Sequence, residues 1–155
     1  MGSMILFIVF TGLALAGLQL SIIGAMIWGL VAVGLYWIGE FLHQYGHLMA
    51  GRRVGYPLIG VRLWWVFGAS IYPNDEPTLP ASVHIRRALG GAPMSIAIGV
   101  VCGILALLLK DSMSLPIWAL LALFAFLNLF YFGFGAFLPL GFTDGSTLLH
   151  YWNKA

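Results

Sequence analysis

The chain has 155 residues, of which 61% are hydrophobic and only 8% are charged, and its formal net charge is +2. A small soluble domain of this composition could not keep its surface hydrated, so the composition predicts a protein that lies in a lipid bilayer. The basic residues form no continuous stripe, which argues against nucleic-acid binding. The single cysteine, Cys102, excludes an internal disulfide.

The N-terminal part of the chain carries no charged side chain between residues 4 and 39. Because one bilayer crossing needs about 20 helical residues, this run predicts two membrane-spanning helices, over about 4–20 and 23–50. Met1-Gly2-Ser3 in front of a second methionine is typical of an expression scar. We therefore set residues 1–3 aside and interpret residues 4–155 as a single domain.

The segment 52–87 differs from its flanks, since it holds five of the seven basic residues and four prolines. We interpret it as an interfacial loop, and its excess of Lys and Arg predicts that it lies in the cytoplasm. Within it, residues 58–72 are rich in β-branched and aromatic residues, which predicts a short, membrane-associated β-hairpin.

Two further apolar runs predict a third and a fourth membrane-spanning helix, over about 91–109 and 115–136. The expected fold is thus an all-α polytopic membrane protein with about four transmembrane helices and a small β-hairpin. With four crossings, both termini of this multi-pass protein of the cell membrane lie in the cytoplasm. The same topology places His43, His47 and Asp144 toward one face.

His43 and His47 are four residues apart on a predicted helix, so both imidazoles can reach a single metal ion. This spacing suits zinc, which in catalytic sites takes three protein ligands and a water. Asp144 is the favoured third ligand, because a carboxylate at membrane depth is costly without a cation. Glu40 lies one turn before His43 and is a candidate acceptor for a histidine N–H or a polar group that faces substrate.

Simpler interpretations of these residues stay open at this point. The two histidines could hydrogen-bond to neighbouring helices, and Asn128 in the fourth span could do the same or face substrate. Haem ligation needs opposite axial positions, which two neighbours on one helical face do not readily provide. Asp144 could instead cap the N-terminus of a helix over 145–152.

Three motifs in the chain resemble the site-2 protease family of intramembrane zinc metalloproteases. They are His43-Gln44-Tyr45-Gly46-His47, Ala88-Leu89-Gly90-Gly91-Ala92-Pro93, and Leu138-Pro139 ahead of Asp144-Gly145. The resemblance covers most of residues 30–150 and implies a minimal core without the regulatory domains of larger members.

The resemblance implies that His43, His47 and Asp144 bind one zinc ion and that residue 44 is the general base. It also implies that the hairpin pairs with an unwound transmembrane-helix protein substrate by strand addition. The candidate contacts of that substrate are Asn128, Glu40, Val61 and Leu63.

This chain departs from the family at residue 44, where Gln44 replaces the glutamate of the general base. An amide does not titrate near neutral pH, so we expect a loss of about 10²–10⁴-fold or more in activity while zinc binding persists. The expected function is that of an intramembrane zinc endopeptidase that cleaves transmembrane segments near the cytoplasmic face, here as an inactive Gln44 variant. The intact ligands and the expression scar favour an engineered change.

Two alternatives remain at the level of sequence. If Gln44 is native, the chain is a non-proteolytic, zinc-containing membrane binder that captures transmembrane segments without cutting them. A metal or proton transporter would instead use His43, His47, Glu40 and Asp144 as a translocation path.

Overall fold

The computed structural model describes residues 1–154, which are mostly helical. The helices are α1 (Gly2–Leu18), α2 (Ile22–Arg53), α3 (Ala81–Ala88), α4 (Gly91–Leu108), α5 (Leu115–Phe126) and α6 (Asp144–Trp152). The strands β1 (Gly60–Trp64) and β2 (Phe67–Ile71) form one antiparallel pair. Beyond α5 the chain continues in a π-helical turn (Leu127–Tyr131) and a short 3₁₀ helix (Phe134–Phe137).

Three helical stretches in the described part of the chain are long and apolar enough to cross a membrane: Ile22–Arg53, Ala81–Leu108 and Leu115–Phe137. The predicted class, a helical multi-pass membrane protein with a small antiparallel hairpin, is confirmed at this level. The 17 residues of α1 are also apolar, but they extend only about 26 Å, less than the roughly 30 Å of the hydrocarbon core. Helix length thus supports three crossings where the sequence predicts four.

The segment interpreted as a loop contains a helix that the sequence did not predict. Helix α3 begins directly after Pro80 and has eight residues, and Leu89 and Gly90 separate it from α4. Eight residues are too few for a sustained apolar period, and the surrounding prolines and charges are typical of loops. The cytoplasmic assignment of this segment is therefore a matter of charge alone and not of its secondary structure.

Helix α2 is the central element, since it contacts α1, α3, α4, α5 and β2. Small side chains let α1 approach it closely: Ala14, Ala25 and Ala32 are fully buried, and a Cβ added to Gly29 would collide with Thr11. Such small-residue contacts are typical of helices that pack inside a membrane. The larger members of the core are Phe10, Trp28, Tyr36, Leu127 and Phe132.

The hairpin turns through Trp65 and Val66, and the register pairs Leu63 with Gly68. Trp65 has a φ of 56°, a left-handed conformation that a bulky side chain rarely adopts. The hydroxyl of Tyr36 on α2 donates a hydrogen bond to the carbonyl of Val66. Tertiary contacts with the helices therefore hold this turn, which lacks the Asn-Gly type of sequence that forms such turns locally.

The first residues of the chain take part in this packing. Helix α1 begins at Gly2, which is buried so close to the backbone of Trp65 that a Cβ there would collide with it. The indole of Trp37 donates a hydrogen bond to the hydroxyl of Ser3 at 3.2 Å. Residues that we had set aside as an expression scar are thus part of α1.

Candidate metal centre

Helix α2 places the side chains of His43 and His47 one turn apart on its buried side, with their Nε2 atoms 3.0 Å from each other. The start of α4 covers them. A Cβ added to Gly91 would collide with the Nε2 atoms of both histidines. The paired glycines Gly90 and Gly91 thus leave room for the two imidazoles where α4 crosses α2.

Asp144 is the first residue of α6, and its carboxylate points at the two histidines. Its Oδ1 atom lies 3.2 Å from Nε2 of His47, and its Oδ2 atom lies 3.4 Å from Nε2 of His43. The three side chains form a group that could hold one metal ion, as predicted. Thr143, and not Asp144, stands at the N-cap of α6, so capping does not account for the aspartate.

The geometry of this group fits a tetrahedral ion. Metal–ligand bonds of about 2.0–2.2 Å at tetrahedral angles place neighbouring ligand atoms roughly 3.3–3.5 Å apart. The observed separations of 3.0, 3.2 and 3.4 Å are close to that value. The Oδ2 atom of Asp144 is also buried without a hydrogen-bond partner among residues 1–154, as expected of an atom that binds a cation.

The other ring nitrogens of the histidines are held by the protein. Nδ1 of His47 lies 2.8 Å from the backbone carbonyl of Arg87, and Nδ1 of His43 lies 3.2 Å from Oγ of buried Ser95. A carbonyl only accepts, so Nδ1 of His47 donates and its Nε2 carries the lone pair in the neutral ring. This arrangement, in which an outer hydrogen bond selects the tautomer, is typical of metal-bound histidine.

The charge of Asp144 also suits a metal ligand. Burial by itself raises the pKa of its carboxyl, but the adjacent imidazoles of His43 and His47 outweigh burial and hold the pKa below its ordinary value. The carboxyl is therefore ionised at neutral pH, which is the form that binds a metal.

Gln44 lies on α2 between the two histidines and bonds to the hairpin at both ends of its amide. Its Nε2 atom donates to Oε1 of Glu40 at 2.9 Å and to the carbonyl of Gly68 at 3.2 Å. Its Oε1 atom accepts a hydrogen bond from Oγ of Ser70 at 2.7 Å. Glu40 thus contacts Gln44, whereas the Nδ1 atoms of the histidines bond to Ser95 and Arg87.

The site opens into a cavity of about 780 Å³. One wall carries the three candidate ligands with Glu40 and Gln44, and the rest is formed by β2, by α3 and α6, and by an aromatic group. The residues of that group are Phe67, Phe130, Tyr131, Phe132 and Phe142. A cavity of this size with few polar groups is typical of a ligand site.

Of the four predicted substrate contacts, only Glu40 lines this cavity. Asn128 is fully buried in the π-helical turn, where its Nδ2 atom donates to the carbonyl of Phe124. Val61 and Leu63 lie on β1, and the cavity is lined by the other strand, β2. The structure therefore brings Phe67, Gly68 and Ser70 to the site in place of the β1 residues.

Sequence reasoning missed Arg87, which it counted only as a loop charge. The side chain is buried, its Nη1 atom lies 3.0 Å from Oε2 of Glu76, and its guanidinium carbon lies 3.3 Å above the centre of the Tyr72 ring. The position of Arg87 next to the Ala88–Pro93 motif was the available signal. It was outweighed by the general rule that arginine is exposed.

Two imidazole nitrogens and one carboxylate oxygen form a donor set typical of catalytic zinc, which keeps a fourth position for water or substrate. All three side chains line the cavity, so a fourth ligand could enter from there. Comparison with models of known families, with curated proteins and with solved structures finds no match to this chain.

Proposed function

We propose that the chain is the core of an intramembrane zinc endopeptidase of the site-2 protease type, and that it cleaves transmembrane segments of membrane proteins near the cytoplasmic face. The observation that carries this proposal is the triangle of His43, His47 and Asp144 at the wall of a largely apolar cavity. Its donor set and spacing suit one zinc ion with an open fourth position.

When bound, zinc would polarise a scissile carbonyl and lower the pKa of a coordinated water. Residue 44 stands where a general base would take the proton from that water, since it lies between the two ligands on α2. Gln44 has no titratable group, and both ends of its amide are already hydrogen-bonded. The chain as it stands therefore binds metal and substrate and cleaves about 10²–10⁴-fold more slowly than one with glutamate.

We propose four crossings, with α1 as the first and both termini in the cytoplasm. Helix α1 is apolar throughout and packs along α2, and its 17 residues are at the lower limit of transmembrane helices. The segment between the second and third crossings carries five of the seven basic residues, which favours its cytoplasmic location. The protein is then a multi-pass protein of the cell membrane.

The substrate enters as an extended segment. Carbonyls in a helix are already hydrogen-bonded and shielded, so the helix must unwind before its backbone can approach a metal. Strand β2 lines the cavity next to the candidate ligands. A strand at this position supports recognition of an extended substrate by main-chain hydrogen bonds.

A second candidate, a non-proteolytic zinc-containing membrane binder, is favoured by the surroundings of Gln44. The amide matches its neighbours, because it donates to Glu40 and Gly68 and accepts from Ser70. A glutamate in the same place would put a carboxylate oxygen 2.9 Å from that of Glu40. This match is what a native glutamine would show.

One experiment separates the two candidates. We would purify Gln44→Glu, and Gln44→Glu combined with Glu40→Gln, and reconstitute each with a synthetic transmembrane substrate that carries a central Gly-Pro pair. Cleavage that requires zinc, and that disappears when His43→Ala is added, supports the endopeptidase. Zinc binding without cleavage by either variant supports the binder.

A further inference from the structure

Arg87 and Glu76 form an ion pair that uses only one end of each group. Nη1 of Arg87 lies 3.0 Å from Oε2 of Glu76, while Nη2 of Arg87 and Oε1 of Glu76 are buried and have no hydrogen-bond partner among residues 1–154. Arginine and carboxylate groups frequently pair through both ends. The pair therefore leaves one charged donor and one charged acceptor free.

The free atoms cannot readily turn away to find other partners. Arg87 is only 4% exposed, and its guanidinium stacks on the ring of Tyr72. The plane of the fork is thus set by the aromatic ring on one side and by Glu76 at its edge. Because unpaired buried donors and acceptors are costly, a site that retains them is expected to satisfy them with a ligand.

The ion pair belongs to the same cavity as the candidate metal centre. Arg87, Glu76 and Tyr72 all line it together with His47 and Asp144. The two sites are also linked covalently, since the backbone carbonyl of Arg87 accepts the hydrogen bond from Nδ1 of His47. A ligand that reaches the metal centre therefore passes close to the free donor and acceptor.

We propose that Arg87 and Glu76 form a subsite for a main-chain amide of an extended polypeptide. Nη2 of Arg87 donates to a peptide carbonyl, and Oε1 of Glu76 accepts from a peptide N–H. This inference rests on the proposed function, because it names the part of the substrate that the cavity recognises. The recognition is independent of side chains and requires that the segment be unwound.

Charge complementarity selects this ligand class over others. An anion would pair with Arg87 but be repelled by Glu76, and a cation would meet the reverse situation. A neutral group with one acceptor and one donor satisfies both atoms, and the peptide group is the one that every polypeptide offers.

The test measures binding of a synthetic 20-residue Leu-Ala peptide with a central Gly-Pro pair to the zinc-loaded Gln44 chain in nanodiscs. Glu76→Gln keeps an oxygen for Arg87 but turns the free acceptor into an NH₂ donor, and Arg87→Lys removes the planar fork. We expect each to weaken binding by about tenfold with unchanged zinc content. The matched controls, Asp75→Asn and Arg86→Lys at exposed neighbours, should bind as the parent does.

A second measurement identifies the amide itself. Replacing single peptide bonds of the probe by esters should reveal one position where loss of the N–H weakens binding to the parent by about tenfold but leaves binding to Glu76→Gln unchanged. Unaltered binding in both variants, or an ester effect that persists in Glu76→Gln, would overturn the subsite. If Gln44→Glu cleaves the same probe, the proposed function stands without it, whereas a probe that is neither bound nor cleaved overturns both.

Discussion

The backbone carbonyl of Arg87 accepts a hydrogen bond from Nδ1 of His47 at 2.8 Å. Because a carbonyl has no proton to give, this contact leaves the lone pair of the imidazole on Nε2, the atom that faces Asp144. Helix α3, which ends one residue after Arg87, thus orients a candidate metal ligand on α2. The predictions below concern this site and the packing that supports it.

Removing a candidate ligand should abolish metal binding. We expect Asp144→Ala and His43→Ala each to lose stoichiometric zinc, measured by metal analysis of the purified protein after dialysis, because two ligands hold zinc far more weakly than three. His150→Ala, at an exposed position on α6, should keep the zinc of the parent. Unchanged zinc content in the first two variants would remove the basis of the proposed function.

Metal binding should also be lost when all ligands are kept but their cover is enlarged. In Gly91→Ala the new methyl group collides with the Nε2 atoms of His43 and His47, so we expect loss of zinc in metal analysis. Gly103→Ala on the same helix meets no atom within 4 Å and serves as the control. Equal zinc content in both variants would contradict the close approach of α4.

Gln44→Glu should destabilise the metal-free protein. It sets a carboxylate against Oε1 of Glu40 and the carbonyl of Gly68, which loses two hydrogen bonds at a buried position, at a cost of about 1–3 kcal/mol. Adding Glu40→Gln supplies a donor again and should recover most of this loss. Thermal unfolding in detergent with chelator present measures both effects, and a single variant as stable as the parent would argue against the contact.

The packing of α1 on α2 depends on Gly29. Gly29→Ala places a methyl group 3.0 Å from the backbone nitrogen of Thr11 and closer still to its side chain, so we expect a loss of about 1–3 kcal/mol. Gly34→Ala, five residues later on α2 in open space, should be neutral or slightly stabilising. Denaturation followed by tryptophan fluorescence would compare them, and equal stabilities would place α1 elsewhere.

Membrane residence, the hairpin and the pairing of His43 with His47 were all accessible from sequence. Apolar runs of helix length and an i, i+4 spacing are local properties, so the pattern of residues determines them without knowledge of neighbours in space. Asp144 was also identified, because a carboxylate beside an apolar span needs a cation and few other acids were candidates. The boundaries of α2 and α4 accordingly differ little from the predicted spans.

Only the tertiary structure decided which groups surround these residues. Arg87 and Ser95 reach the histidines from 40 and 52 residues away, and Ser70 reaches Gln44 from 26. Such contacts depend on how α3, α4 and β2 pack on α2, and no local pattern encodes that packing. For the same reason the sequence assigned substrate contacts to β1, whereas the fold turns β2 toward the cavity and joins Arg87 to the candidate metal centre.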